Sequence, residues 1–417
     1  MVEVRFAAKI VHLVIFEGRT YLDAIDEIFP DERKIFQSSN LSVALAKEAI
    51  RHFYLYENII NELKIDLNSK QKSLVYVALS DIFYTKLLNT NNLISFLQGE
   101  IPADEFKKLL PILKRKEPLE EMISFEKDTN FYYATKYNVP IWLAHMWRKH
   151  FGDELTKDFL ESSLKHNLQH YVVNTFKSST ERLLLKYPDF SSPFEDSLIY
   201  KGNKRYQLTP EFKNDEYIDV KMGFKNIIDN LYNPFDEVLL YSGYDDDFVK
   251  TEIIKTNGKQ GLNVVVPSLN KRAELMRFIR VNDIHNVNLF EANDIYAMKA
   301  GVSYKVDTVI VFPKSTRFDI ISKYPDFLLH FDRDDIDEIL AGEKKALELC
   351  YDYVNEDGTL VYIVNTFNKK ESILIIEEFL ANHPDFVLDR EEQLIPTHPF
   401  ETTMYYAFMH RKATNND

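Results

Sequence analysis

At 417 residues the chain is too long for one ordinary domain, and two or three are expected. Hydrophobic residues make up 45% and aromatics 13%, enough for real cores, which excludes a disordered or collagen-like chain. The net charge of −14 is unevenly placed: residues 231–417 hold 20 basic against 32 acidic side chains, so this third is a poor primary binder of nucleic acid. Local basic patches in the first two thirds remain open to RNA. No apolar run approaches the roughly 18 residues of a membrane span. The opening MVEVRFAAKIVHLVIFEGRT, interrupted by Glu3, Arg5 and Lys9, does not read as a signal peptide. Cys350 is the single cysteine, which excludes an internal disulfide and a cysteine-rich metal site and fits a reducing, cytoplasmic setting.

Residues 1–125 read as a helical domain. Apolar residues at three- and four-residue spacing predict helices over Arg5–Phe16, Tyr21–Phe29, Leu41–Lys64, Ser69–Leu88, Thr90–Gln98 and Ala103–Leu113. Asn40, Asn68 and Asn91 stand near helix starts as capping candidates, and Pro111 should end or kink the last helix. Arg5, Lys9 and Arg51 are either a phosphate cluster or ordinary solvated helix faces.

Residues 126–232 form an intermediate α+β region. Val139–Ser163 predicts two helices broken near Gly152, with Trp142 and Trp147 either packing in a core or stacking on bases. A strand near His170–Asn174 and a helix from Thr180 that stops before Pro188 follow. Ser191–Leu208 reads as an irregular connection, and Ile218–Leu231 as a helix.

Residues 233–417 alternate strands and helices. Strands are expected at Glu237–Tyr241, Leu262–Pro267, Val287–Glu291, Thr308–Phe312, Thr359–Val364 and Thr403–His410. Helices are expected at Phe248–Asn257, Lys271–Val281, Asp334–Val354 and Lys370–Asn382. This alternation argues a doubly wound parallel sheet whose ligand would sit at the carboxyl ends of the strands. Gly358 should supply the positive φ of the turn before Thr359–Val364. A cofactor loop after the first strand needs glycines so that backbone N–H groups can approach the ligand. The chain offers YSGYDDDFVK, with Gly243 alone and three aspartates, Asp245–Asp247, unfavourable to an anionic group. Pro267 and Ser268 stand where an acid would bind a ribose, and Asn293 or Asp294 could face a base. Ser242, Gly243 and Asn293 are therefore the cofactor-binding candidates.

Six short stretches then fall in a recognisable order: YNVPIWLAHMWRKHFGDE (Tyr137–Glu154), VVNTFKSS (Val172–Ser179), KYPDF (Lys323–Phe327), DGTLVY (Asp357–Tyr362), EEFLANHPDFVL (Glu377–Leu388) and the closing YYAFMHRK. Together they resemble the bacterial Sun/Fmu-type 16S rRNA cytosine-C5 methyltransferases. That resemblance implies an all-α NusB-like bundle, a small α+β intermediate region and a Rossmann-type methyltransferase sheet that uses S-adenosylmethionine. It also implies two cysteines, one attacking the pyrimidine ring and one assisting product release, with an aspartate holding the base. The chain departs from the family at these points: Lys314 and Asn365 stand at the two cysteine positions, the aspartate is missing before Lys314, and Pro267 replaces the ribose acid. A hydroxyl or ammonium is a poor substitute for a thiolate on a soft electrophile. Three expectations follow. The first is a catalytically degenerate RNA methyltransferase-like protein with no catalytic residues and no cofactor, binding RNA, ribosomal particles or protein. The second is an active enzyme that uses S-adenosylmethionine by a non-cysteine route. The third is a protein-interaction module acting through the helical domain. No membrane partner and no metal site are expected, and the oligomeric state stays open.

Overall fold

The computed structural model describes residues 1–30, 37–165, 169–200, 206, 209–231, 233, 235–243, 246–291, 304–396 and 402–413. The chain forms two compact units, one of residues Met1–His166 with Ile320–Asp332, the other of Asn167–Asp319 with Arg333–Asp417. The division falls inside the span 126–232.

The first unit is helical. Its helices run over Val2–Glu17, Tyr21–Ile28, Gln37–Arg51, Phe53–Glu62, Ser69–Ser80, Thr90–Glu100, Ala103–Leu113, Asn130–Tyr137 and Ile141–Ser163. Side-chain caps fix several starts: Thr20 accepts from the Asp23 N–H, Asn89 from Asn92, and Asn68 forms a capping box with Gln71. Asn40 lies inside its helix and Asn89, not Asn91, is the cap of the next-but-two. The expected Leu41–Lys64 helix is two helices, interrupted at His52. Pro111 is accommodated within its helix, which stops two residues later. Gly152, at φ 79° and ψ 174°, breaks the stretch into two halves, the first of which bears both tryptophans. Val11, Leu45, Ile59, Val75 and Leu109 anchor a single apolar core. Trp147 is fully buried and meets Phe159 edge-on at 5.1 Å, while Trp142 stacks on Phe331 at 6.3 Å.

A polar knot lies within this core. Glu48 accepts from Arg51 at 2.7 Å and faces the His52 ring at 3.2 Å, and that ring stacks on Tyr84 at 3.9 Å. Arg51, 2% exposed, also donates to the Ser322 carbonyl at 2.8 Å. It is therefore neither a phosphate ligand nor a solvated face. The returning segment Ile320–Asp332 is held again where the Tyr21 N–H donates to Asp326 at 2.8 Å, and Leu329 packs on the core.

The second unit carries two sheets. In the small one, strands β1 (Gln169–Val173), β2 (Phe190–Ser191), β3 (Ser197–Tyr200) and β4 (Tyr217–Asp219) lie in the order β2-β3-β1-β4, all pairs antiparallel. Two expectations are corrected here. The stretch Ser191–Leu208 contains β3, and Ile218 belongs to β4, with the helix beginning only at Met222. Aromatic side chains build this small core: Tyr171, Phe190, Tyr206 and Tyr217 meet edge-on or tilted at 4.4–5.7 Å.

The large sheet contains β5 (Glu237–Ser242), β6 (Gly261–Val266), β7 (Val287–Glu291), β8 (Val306–Phe312), β9 (Val354–Val364), β10 (Phe386–Leu394) and β11 (Met404–Arg411). Their order is β10-β11-β9-β8-β5-β6-β7. Strands β5 to β9 pair in parallel, whereas β11 runs antiparallel to both β9 and β10. Alternate residues along each strand serve opposite faces. Leu240, Val264 and Ile310 meet Phe248 and Phe278 from helices Asp246–Lys255 and Leu269–Val281, while Leu239, Val309 and Tyr362 meet Leu347 and Phe379 from helices Asp335–Cys350 and Ile373–Asn382. This is a multidomain chain with a helical part and a Rossmann-like α/β sheet. Among the described residues, no helix is long and apolar enough to cross a membrane.

Candidate functional site

In the large sheet the chain winds outward from β5 through β6 to β7, then returns to β8 and continues to β9 on the other side. The change of direction falls between β5 and β8, and ligands of such sheets lie outside the carboxyl ends of the strands at that point. Here the two strands stay paired to their ends. The Gly243 N–H donates to the Phe312 carbonyl at 2.7 Å, and a Cβ on Gly243 would stand 2.7 Å from the Lys314 nitrogen and 2.8 Å from the Pro313 Cα. Glycine is needed at 243 because β8 continues into a loop that lies directly on it.

The loops after β8 and β9 are stitched together by one carboxylate. Glu371 accepts from the Thr316 N–H and hydroxyl, each at 2.7 Å, and from the Thr366 hydroxyl and Asn368 amide, each at 2.8 Å. The Thr316 and Thr366 hydroxyls also lie 2.7 Å apart, and Ser315 donates to the Asn365 carbonyl at 3.3 Å. Ser315, Thr316, Thr366 and Glu371 are all buried. Burial raises the pKa of Glu371, against the pull of its donors.

The sequence-derived site residues fall as follows. Lys314 is exposed at the loop tip. Asn365 is 1% exposed, and its side-chain oxygen has no hydrogen-bond partner among the described residues. Ser242 is buried at the end of β5 and Gly243 lies against the β8 loop. Asn293 and Asp294 lie outside the described residues, as does Asp245. Ser268, after β6, accepts from the Lys271 N–H at 3.4 Å and so caps a helix. Cys350 is fully buried in the helix Asp335–Cys350, packed with Leu347 and Val354. The structure thus brings Gly243, Lys314 and Asn365 to one end of the sheet. The sequence reading missed Glu371, which fastens the loops. Its signal was weak, one acid three residues after Asn368 at a helix start.

At the place where the resemblance would seat S-adenosylmethionine, the Gly243 N–H is engaged, Pro313 and Lys314 lie against the Cα of Gly243, and Pro267 and Ser268 directly follow β6. The segments after Gly243 and Glu291 lie outside the described residues. No group of three or more metal-ligating side chains occurs among the described residues.

No family model matches the chain. It is 24% identical over 272 residues to a probable ribosomal RNA small subunit methyltransferase B of Bacillus subtilis, a match covering 61% of this chain and 59% of that relative. A second stretch of 79 residues is 32% identical to the ribosomal RNA small subunit methyltransferase B of Xanthomonas campestris, covering 19% of this chain and 18% of the other. The chain thus matches less than two thirds of these relatives' length. Among solved structures, PH0851 shares the fold over 98% of both chains, with a TM-score of 0.71 at 17% identity. A methyltransferase homolog protein from Pyrococcus horikoshii shares it over 69% of this chain and 100% of that one, with a TM-score of 0.56 at 15% identity. Similarity in sequence and similarity in fold therefore point the same way, to RNA methyltransferase relatives and a methyltransferase fold.

Proposed function

We propose that this chain is a catalytically degenerate relative of the small-subunit rRNA cytosine-C5 methyltransferases, which binds RNA, a ribosomal particle or protein without transferring a methyl group. Its N-terminal unit would be the NusB-like domain, and its surface the binding element. One observation carries this reading: the only thiol of the chain, Cys350, is sealed in the core, while the two strand ends that would present cysteines present Lys314 and Asn365. Neither side chain can add to a pyrimidine ring and leave again as a thiolate does. The close approach of Pro313 and Lys314 to Gly243 supports the same reading from the cofactor's side.

Isothermal calorimetry of the full chain with S-adenosylmethionine tests it. No binding heat at tens of micromolar is expected, together with retention of small-subunit rRNA or particles in a pull-down. Micromolar cofactor binding overturns the degenerate reading and favours an active enzyme working without cysteine. Partners that survive nuclease treatment place the function in protein binding.

A further inference from the structure

Trp147 is buried in the helical unit and Trp142 already stacks on Phe331, so neither is an open platform for a base. The open aromatic surface of this unit is a pair of phenylalanines. Phe131, on the helix Asn130–Tyr137, is 51% exposed, and Phe125, in the chain just before it, is 37% exposed. Their ring centroids lie 5.3 Å apart with the planes 30° from parallel. Single exposed apolar residues are ordinary, but two rings held together in water mark a surface that something else covers. Polar contacts join the pair to the next helix. The Asn130 amide meets Nδ1 of His145 at 3.1 Å, and its oxygen accepts from Arg148 at 2.8 Å. Ile141, His145 and Lys149, spaced four residues apart, form an exposed row along that helix.

The charge on this surface is one-sided. Residues 129–152 contain no acid, in a chain with 65 acids among 417 residues, and they carry Lys136, Arg148, Lys149 and two histidines. Lys127 and Lys149 are exposed, and neither has an ion-pair partner among the described residues. Acids stand only at the borders: Glu126 and Asp128 flank Lys127, and Asp153 bonds to Arg148 at 2.6 Å.

A partner that carries both negative charge and flat apolar faces answers both halves of the patch. Unpaired nucleotides do so, offering phosphates to the free ammonium groups and bases to the rings. A duplex keeps its base faces inside its own stack, so the fit is to a single strand. We infer that Phe125, Phe131 and the exposed row of the helix Ile141–Ser163 form a docking surface for single-stranded RNA. Bases stack on the phenylalanine pair, and Lys127 and Lys149 take backbone phosphates. This rests on the reading that the chain binds RNA, and assigns that binding to one face of the helical unit.

Fluorescence anisotropy of the full chain tests this, with a short fluorescein-labelled single-stranded RNA of mixed sequence and with the duplex of that sequence. The single strand should bind more tightly than the duplex. Phe131→Ala should weaken single-strand binding about fivefold or more, while Phe131→Tyr, which keeps a ring, stays close to the wild type. Lys127→Gln combined with Lys149→Gln should flatten the fall of log affinity with log salt, by roughly 0.7 for each lysine. If Phe131→Ala lowers the urea midpoint, the lysine variant decides alone, because both of its positions are exposed and unpaired. A wild type that binds RNA while Phe131→Ala and the lysine variant match it overturns this face and leaves the RNA reading standing. A wild type that binds no RNA overturns both. Self-association in sedimentation that depends on Phe131, without RNA binding, gives the face to a second copy of the chain and likewise overturns the inference.

Discussion

At the scale of single residues, the site is governed by close approach and by buried charge. Gly243 has no space for a side chain: the nearest atoms to a built Cβ are backbone atoms of Pro313 and Lys314, which cannot swing away. Gly243→Ala should therefore cost about 1–3 kcal/mol through overpacking, read as a lower urea midpoint with unchanged slope. Among the described residues Glu48 is the ion-pair partner of the buried Arg51, so Glu48→Ala leaves a cation in the core of the helical unit. A loss of about 3–5 kcal/mol is expected in chemical denaturation. An unchanged midpoint would mean that Arg51 finds water there. Gly358 shows what residue patterns miss. The positive φ of that turn is taken by Asp357 at 58°, and Gly358 is required for another reason, because a Cβ there would stand 2.9 Å from the Asn355 carbonyl oxygen.

At the scale of elements, the strands buried on both faces were legible because they are continuous apolar runs, and the helices because their apolar faces repeat. Strand β10 was not. Its residues Asp389, Glu391 and Glu392 leave it reading as polar, although it pairs along its length with β11. β3 was lost because only four residues long, Ser197–Tyr200, between polar loops. The helix Asn130–Tyr137 escaped for a similar reason, eight residues that end on Asn138 in the left-handed region. The clasp at Glu371 joins loops 55 residues apart in sequence, and no local pattern announces such a contact. Another junction of this kind is Asn174, fully buried after β1. Its amide donates to the Asp215 carbonyl at 2.8 Å and the Asn282 side chain at 3.0 Å, and its oxygen accepts from the Phe176 N–H at 3.1 Å. It ties the small sheet to the end of helix Leu269–Val281. Asn174→Ala should cost about 1–3 kcal/mol for the groups it leaves unpaired, and should raise hydrogen exchange in both 214–216 and 281–283. A rise in one segment alone would contradict the junction.

At the scale of the whole molecule, the sequence and the fold disagree about chemistry in an informative way. The stretches that carry the family resemblance lie mainly in scaffold: Trp147 in a core, Asn174 at a junction, and Glu377–Leu388 across a helix and an edge strand. The strand ends hold a lysine, buried amides and hydroxyls, and a carboxylate that closes two loops together. The acidic balance of residues 231–417 argues that binding to a polyanion would fall to the rest of the chain. The central claim, a methyltransferase fold without methyl transfer, is tested most directly by incubating the full chain with tritium-labelled S-adenosylmethionine and unmodified small-subunit rRNA. The account predicts no label in cytosine above a protein-free control. Tritium at the C5 position of cytosine, lost on heat-denaturing the protein, would contradict it.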